Sequence, residues 1–423
     1  MKLLFKVILL FLIVFNFKIP IINYSATLTV ILASLYFLIK RKAIPFTYFT
    51  YKYIVIILIG TLILSVINLS VTTLHGTPVS IVFRRLILQF YTLCCLIYCF
   101  PILIEKKTEA WTDTMQVICF TFALQGAIHL SGFLFTPIGD FLLDLKSDEF
   151  KEFLFDPQRN IDKFRGYALA GSIFFELPAA YGVACIMFFR LQLIENQHHI
   201  NGWKSFVVIF LLITGIALSG RTGFVGLFIG LCIYLLFMQN RLGVFIRNLG
   251  KYALIIGIGF IAYILLNPAQ RQNLNEELLP FAFEAYYSYV ETGKFSTKST
   301  DALENYHYFS LEEETILKGH GVNSDDIAIY SHTDSGYMNN LIFGGILYLL
   351  CLIIYQSLYF ISPLVIASKK SALDFTLFLA LFGYVFLLEY KATSLGTQFL
   401  TEALFLFIGF TYLLKNYEIS EQN

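Results

Sequence analysis

The chain has 423 residues, 57% of them hydrophobic and only 14% charged, with a mean hydropathy of +0.70. A soluble domain carries about 25% charged residues, so this chain cannot cover itself with polar groups in water; a soluble enzyme and a disordered chain are both excluded. A net charge of +1 excludes a strongly basic nucleic-acid binder, and no nucleic-acid partner is expected.

What remains is an all-α, polytopic integral membrane helix bundle, read as one transmembrane domain over 1–423. A spanning helix needs about 20 mostly apolar residues. Twelve runs read as spans: 3–17, 20–39, 53–70, 83–104, 114–136, 167–189, 205–219, 222–238, 252–267, 337–361, 373–390 and 396–414. They are long and continuous, unlike the short alternating strands of a barrel. The first resembles the charged and apolar regions of a signal peptide. No small-residue cleavage site follows, so it reads as an uncleaved anchor.

Lys and Arg set the orientation. With the N-terminus inside, sixteen of the 30 basic residues fall in inside segments. Five fall in short outside turns: Lys18, Arg84, Arg85, Arg221 and Lys391. Both termini are therefore expected in the cytoplasm. The two long connections, 138–166 and 268–336, then lie outside. No inside loop exceeds about 15 residues and no phosphate-binding G-x-x-x-x-G-K-[ST] occurs. ATP-driven transport by this chain alone is not expected, and the chemistry belongs at the outer face. The seven cysteines fall inside predicted spans and read as apolar packing residues, with no disulfide framework.

The loop 268–336 holds twelve acids and four bases. Within it Leu274, Leu278, Phe281, Ala285 and Tyr289 recur at helical spacing. Glu276, Glu277, Glu284 and Glu291 sit mostly off that stripe, which predicts an amphipathic helix on the membrane or over a cavity. Residues 140–155 look similar, with Phe141, Leu142, Leu145, Phe150 and Phe153 among acids and lysines. A solvated helix that only ties spans together is the plainer reading of both; a lid over an outward cleft is the functional one.

Arg221 stands in Ser219-Gly220-Arg221-Thr222-Gly223, with almost no connection between two spans. Its guanidinium must lie at or just below the outer surface, where a charge is a functional candidate by default. Arg suits planar, bidentate contact with phosphate or carboxylate; snorkelling to lipid headgroups is the plainer alternative. Arg165, Arg84 and Arg85 stand at the outer ends of other spans. With Arg221 they are candidates for the mouth of one cavity holding an anionic, lipid-linked substrate. His332 and Asp334 stand where the long loop re-enters the membrane, before Tyr337 and the Gly344-Gly345 pair. A histidine there can transfer a proton near neutral pH, and Asp334 is a candidate to orient it. His320, between Gly319 and Gly321, is the second candidate. Glu176 and Glu389 lie within spans and are expected to face the bundle interior, Glu389 beside Lys391 as an ion pair. Asp325-Asp326 is a weak cation candidate. No His-Glu-x-x-His or paired Cys-x-x-Cys occurs, so no metal or other cofactor is expected.

Twelve spans, a late outside loop, the 219–223 hairpin and the His332–Gly345 re-entry segment together resemble the bacterial O-antigen polymerases. The related O-antigen ligases share the plan. The resemblance covers most of the chain as architecture and only short stretches as motifs. It implies a GT-C-like helical bundle in the bacterial inner membrane, with a helical periplasmic loop and a periplasmic active site. It also implies a membrane glycosyltransferase that joins undecaprenyl-diphosphate-linked oligosaccharide repeat units without a nucleotide sugar. By position Arg165 and Arg221 match the arginines that hold the donor pyrophosphate, and His332 matches a histidine near the reacting groups in the ligases. Arg84, Arg85, His320, Asp334, Tyr337 and Lys391 are then the expected substrate-binding residues. Membrane lipids and a chain-length regulator are the expected partners. One departure stands out: Thr333 follows His332 and Gly344-Gly345 replaces the spaced glycines of the ligases. Polymerase is thereby favoured, with ligase and a lipid-linked-oligosaccharide flippase as alternatives.

Overall fold

The computed structural model describes residues 2–19, 24–41, 46–79, 81–104, 109–146, 151, 154–155, 163–170, 175–194, 203–238, 268–294, 296–297, 300–301, 307–322 and 333–421. Among them the regular elements are all helical. The expected span 252–267, together with Phe150, Phe153, Asp325, Asp326 and His332, lies outside the described residues.

Six helices are long and apolar enough to cross a membrane: α3 (Lys52–Leu74), α4 (Ile81–Leu103), α5 (Ala110–Leu134), α14 (Gly336–Lys370), α15 (Ala372–Lys391) and α16 (Phe399–Glu421). The chain is thus a multi-pass, all-helical membrane protein. Five more of the expected spans are helical but shorter: α1 (Lys2–Phe15), α2 (Ser25–Lys40), α7 (Glu176–Gln192), α8 (Trp203–Ser219) and α9 (Gly223–Phe237). At 1.5 Å per residue a 15-residue helix reaches about 22 Å, short of a hydrocarbon core of about 30 Å. The turn at Gly220–Thr222 limits α8 and α9, and α7 begins only at Glu176. Between these stand α6 (Thr136–Asp144), α10 (Pro268–Asn273), α11 (Leu279–Ala282), α12 (Glu284–Thr292) and α13 (Glu313–Lys318).

The contacts divide the chain into two compact units: Met1–Phe11, Phe15–Ser25 and Met115–Phe295; and Leu12–Val14, Ala26–Thr114 and Ser296–Asn423. In the first, α7 is the centre. Glu176 through Leu191 are all buried, as expected of a helix that is apolar all round. Its neighbour α9 turns Gly223, Gly226 and Gly230 towards it. A side chain at Gly223 would strike the Pro178 carbonyl, at Gly226 the Gly182 backbone, and at Gly230 Phe189 and the Ile186 backbone. Small residues at this spacing let two backbones touch, which is how helices pack where lipid gives no hydrophobic drive. Phe122 bridges α5 to both Phe15 and Tyr181, edge on at 5.1 and 5.2 Å.

In the second unit the buried helix is α16. Its Phe410 stacks on Phe100 of α4 at 4.9 Å, and its Tyr412 meets Trp111 and Phe378 at 5.1 and 4.9 Å. The helix α14 breaks at Gly345, where φ is +68° and ψ −170°. That break leaves the carbonyls of Ile342 and Phe343 to the amides of His320 and Gly321, at 2.7 and 2.8 Å. Broken helices at membrane depth survive only where such partners replace the lost ladder. The seven cysteines are all free, four of them buried.

Candidate functional site

The two arginines singled out in the first unit come together. Arg165 stands in the middle of a single tight turn, Lys163–Tyr167, and Arg221 stands in the turn between α8 and α9. Their guanidinium carbons lie 5.2 and 5.1 Å from the ring centre of one residue, Phe281. They are therefore at most the sum of those distances apart. Arg165 Nε donates to the Ser219 carbonyl at 3.2 Å, which ties it to the hairpin that carries Arg221. Arg221 is ion-paired with Glu284.

The loop helix reaches this site by an irregular route. After α10 comes a π turn, Leu274–Leu278, then the short α11 with Pro280 in its first turn. Leu278 and Phe164 are buried with Leu218, and Leu274 and Phe281 pack against them. The expected stripe therefore holds as far as Phe281. It then fails: Tyr289 is 55% exposed, and Tyr286, Tyr287 and Val290 are exposed as well. Two causes act together. The π turn inserts an extra residue, and the non-helical Phe283 separates α11 from α12. Glu284, expected on the polar face, is by that change of register turned onto Arg221. In α6 the buried residues are Gly139, Leu142 and Leu143, while the expected Phe141 is 60% exposed.

Two basic side chains that sequence reading passed over hold the segment carrying Arg165. His129 of α5, wholly buried, meets the Phe164 carbonyl at 2.9 Å through Nε2. Lys146, partly exposed as a residue, donates its ammonium to the carbonyls of Ala168 and Ala170. Desolvation of that ammonium lowers its pKa from the ordinary lysine range to about 7. The signal was present, since a lysine amid Phe141–Leu145 and a histidine in an apolar run both need polar partners.

In the second unit the re-entry segment is built differently from expectation. Asp334 pairs with His307, which the sequence reading did not single out. Its amide donates to His307 Nδ1 at 3.0 Å, and its carboxylate stands 3.8 Å from Nε2. Thr333 Oγ1 donates to the His307 carbonyl at 2.8 Å. Tyr308 donates to the Tyr390 carbonyl and stacks on Tyr390 at 5.0 Å. Tyr337 donates to the Phe386 carbonyl at 3.2 Å. Glu389, wholly buried, accepts from Asn340, from the amides of Ser394 and Leu395, and from the Ser394 hydroxyl. Those donors account for its burial; Lys391 is half-buried at the end of α15.

Comparison of the chain with family models, with curated proteins and with solved structures gives no match. Of the remaining expected residues, Arg84, Arg85 and His320 belong to the second unit and Glu176 to the first. Arg84 and Arg85 are exposed in the first turn of α4. His320 is half-buried, its ring 2.8 Å from the Thr315 hydroxyl, and its amide caps the break in α14. Glu176 is buried in the first turn of α7.

The arrangement at Arg165 and Arg221 has a definite chemistry. Each cation–π contact contributes about 0.5–1 kcal/mol. A partly exposed ion pair such as Arg221–Glu284 contributes about as little. Two planar cations thus meet at one ring, and a carboxylate of the loop pairs with one of them.

Proposed function

We propose that this chain is a membrane glycosyltransferase of the O-antigen polymerase type. In this reading it joins undecaprenyl-diphosphate-linked oligosaccharide repeat units at the periplasmic face of the bacterial inner membrane. The twelve apolar runs then form a GT-C-like bundle with both termini in the cytoplasm. The observation that carries the reading is the convergence of Arg165 and Arg221 on Phe281, with Glu284 as a resident carboxylate.

The reaction breaks the bond between the anomeric carbon of the donor glycan and its pyrophosphate oxygen. The leaving undecaprenyl pyrophosphate takes the electron pair, and the two arginines stabilise that charge without a metal. The acceptor hydroxyl of a second lipid-linked unit forms the new glycosidic bond. Its proton goes to His332 in this reading. Displacement of Glu284 by pyrophosphate couples donor binding to movement of α11 and α12. The pyrophosphate linkage already stores the driving force, so no nucleotide is consumed. A chain-length regulator is the expected partner protein.

A lipid-linked-oligosaccharide flippase is the second reading, favoured by the break of α14 at Gly345, since transporters build sites from discontinuous helices. The glycan profile of a deletion strain, resolved by gel, separates them. A single repeat unit on the lipid A core, with the ladder gone, supports the polymerase. Lipid-linked polymer stranded outside means ligase, and single lipid-linked units trapped inside mean flippase.

A further inference from the structure

Two carboxylates are wholly buried in the second unit, and the fold treats them in opposite ways. Glu389 receives the four hydrogen bonds described above. Glu402, also 0% exposed, completes none: neither Oε1 nor Oε2 has a hydrogen-bond partner among the described residues. Gln356, Tyr359 and the Gly396 amide face it, but their bonds go elsewhere. The Gly396 amide donates to Gln356 Oε1 at 2.9 Å, and the Tyr359 hydroxyl bonds the Tyr355 hydroxyl at 2.7 Å.

Its depth follows from its neighbours. The link 392–398 between α15 and α16 does not stay at the surface, for Ser394 through Leu400 are all buried. Gly396, with φ +64°, packs on Tyr355 and on Leu64, and Leu64 stands midway along the 23 residues of α3. The helix α16 therefore begins level with the middle of a spanning helix, and Glu402 lies in its first turn.

Three more buried polar atoms in this neighbourhood lack partners among the described residues: Gln356 Nε2, Gln89 Oε1 and Thr397 Oγ1. Gln89 is placed there by its own amide, which donates to the Tyr355 hydroxyl at 2.9 Å. Tyr355 also bonds Thr61 of α3 at 2.7 Å. The titratable groups that feel the Glu402 charge are Tyr53 of α3 and Tyr355 and Tyr359 of α14; α4 offers the uncharged Gln89. The set mixes a donor, acceptors and one carboxyl. The Gln356 amino group disfavours a bare metal cation, and the carboxyl disfavours an anion. Unpartnered buried polar groups call for water or an ion, and an isolated ionised carboxylate in an apolar surround is too costly to persist.

We propose that Glu402 is a proton-binding site inside the spanning bundle, bridged by water to Gln356, Gln89 and Thr397. The proton joins a carboxylate oxygen from the bridging water and returns to it on release, with no redox partner. The inference does not depend on the glycosyltransferase reading, since it uses none of that site's residues.

The test is infrared spectroscopy of the purified full-length chain in lipid at neutral pH, in H2O and D2O. A protonated-carboxyl C=O band is expected, lost in Glu402→Gln and kept in Glu389→Gln. No such band, or one unchanged in a monodisperse Glu402→Gln protein, overturns the proposal. Should Glu402→Gln not fold, the native chain is treated with dicyclohexylcarbodiimide, which modifies protonated carboxyls in apolar surroundings, and mapped by mass spectrometry. An adduct on Glu402 indifferent to added sodium chloride supports the site. No adduct, or one suppressed by sodium, overturns it, the latter in favour of a metal cation.

Discussion

The carboxylate of Glu284 closes on the guanidinium of Arg221 across 63 residues of chain. An internal anion thus stands where the proposed substrate's charge would bind. Glu284→Gln should raise the affinity of the purified protein for inorganic pyrophosphate by about fivefold, the factor for about 1 kcal/mol. Isothermal titration reads this directly, and weaker binding in the variant would count against displacement.

Arg221→Ala should lower repeat-unit polymerisation by about 10²–10³-fold, as loss of one charge-stabilising donor does elsewhere. The protein should still insert, because the turn it occupies is closed by backbone bonds, from the Gly223 amide to the Gly220 carbonyl and from the Phe224 amide to the Arg221 carbonyl. Arg221→Lys should restore little, since a lysine cannot make the planar paired contact. Full activity in a well-expressed Arg221→Ala protein would remove the arginine site from the reaction.

Lys146 makes a pH prediction. Its folded-state pKa is lowered to about 7 by burial, while the unfolded chain keeps the ordinary lysine value. Between pH 7 and about 10 the unfolded state therefore binds more protons, and stability rises with pH in that window. Thermal unfolding in detergent should show a Tm that climbs from pH 7 to 10 relative to Lys146→Met. Parallel curves for the two proteins would show that the ammonium is not desolvated.

For His307, the amide of Asp334 donates to Nδ1. A neutral imidazole must then carry its proton on Nε2. Nitrogen NMR of histidine-labelled protein, assigned with His307→Gln, should report the Nε2–H tautomer; the other tautomer is incompatible with this contact.

The packing of α9 on α7 predicts a steep cost for bulk. Gly226→Val should destabilise the first unit by about 3 kcal/mol, the upper end for overpacking, because the atoms it meets are backbone and cannot swing aside. Gly383→Ala, which meets nothing within 4 Å, is the control.

How much of this was legible in the sequence depends on whether the signal was local. Spans α3, α4, α5, α14, α15 and α16 follow from apolar length alone. Arg221 was legible because a charge between two spans has few places to go. Its partner was not: Glu284 belongs to the polar face of any regular helix, and only the π turn and the break at Phe283 turn it inward. His307 was hidden because its partner, Asp334, is 27 residues away. Glu402 was hidden in an apolar run that begins, against expectation, inside the bundle.

The π turn at Leu274–Leu278 has a consequence for genetics. It places one more residue in a turn than an ordinary helix holds. Removing one of its exposed residues should let the ladder relax to α geometry while everything downstream keeps its facing. Phe281 and Glu284 would then stay on the arginines, whereas one further residue inserted into the turn would rotate them away by about 100°. Single-codon deletions in this short window should therefore be tolerated where single-codon insertions inactivate the protein.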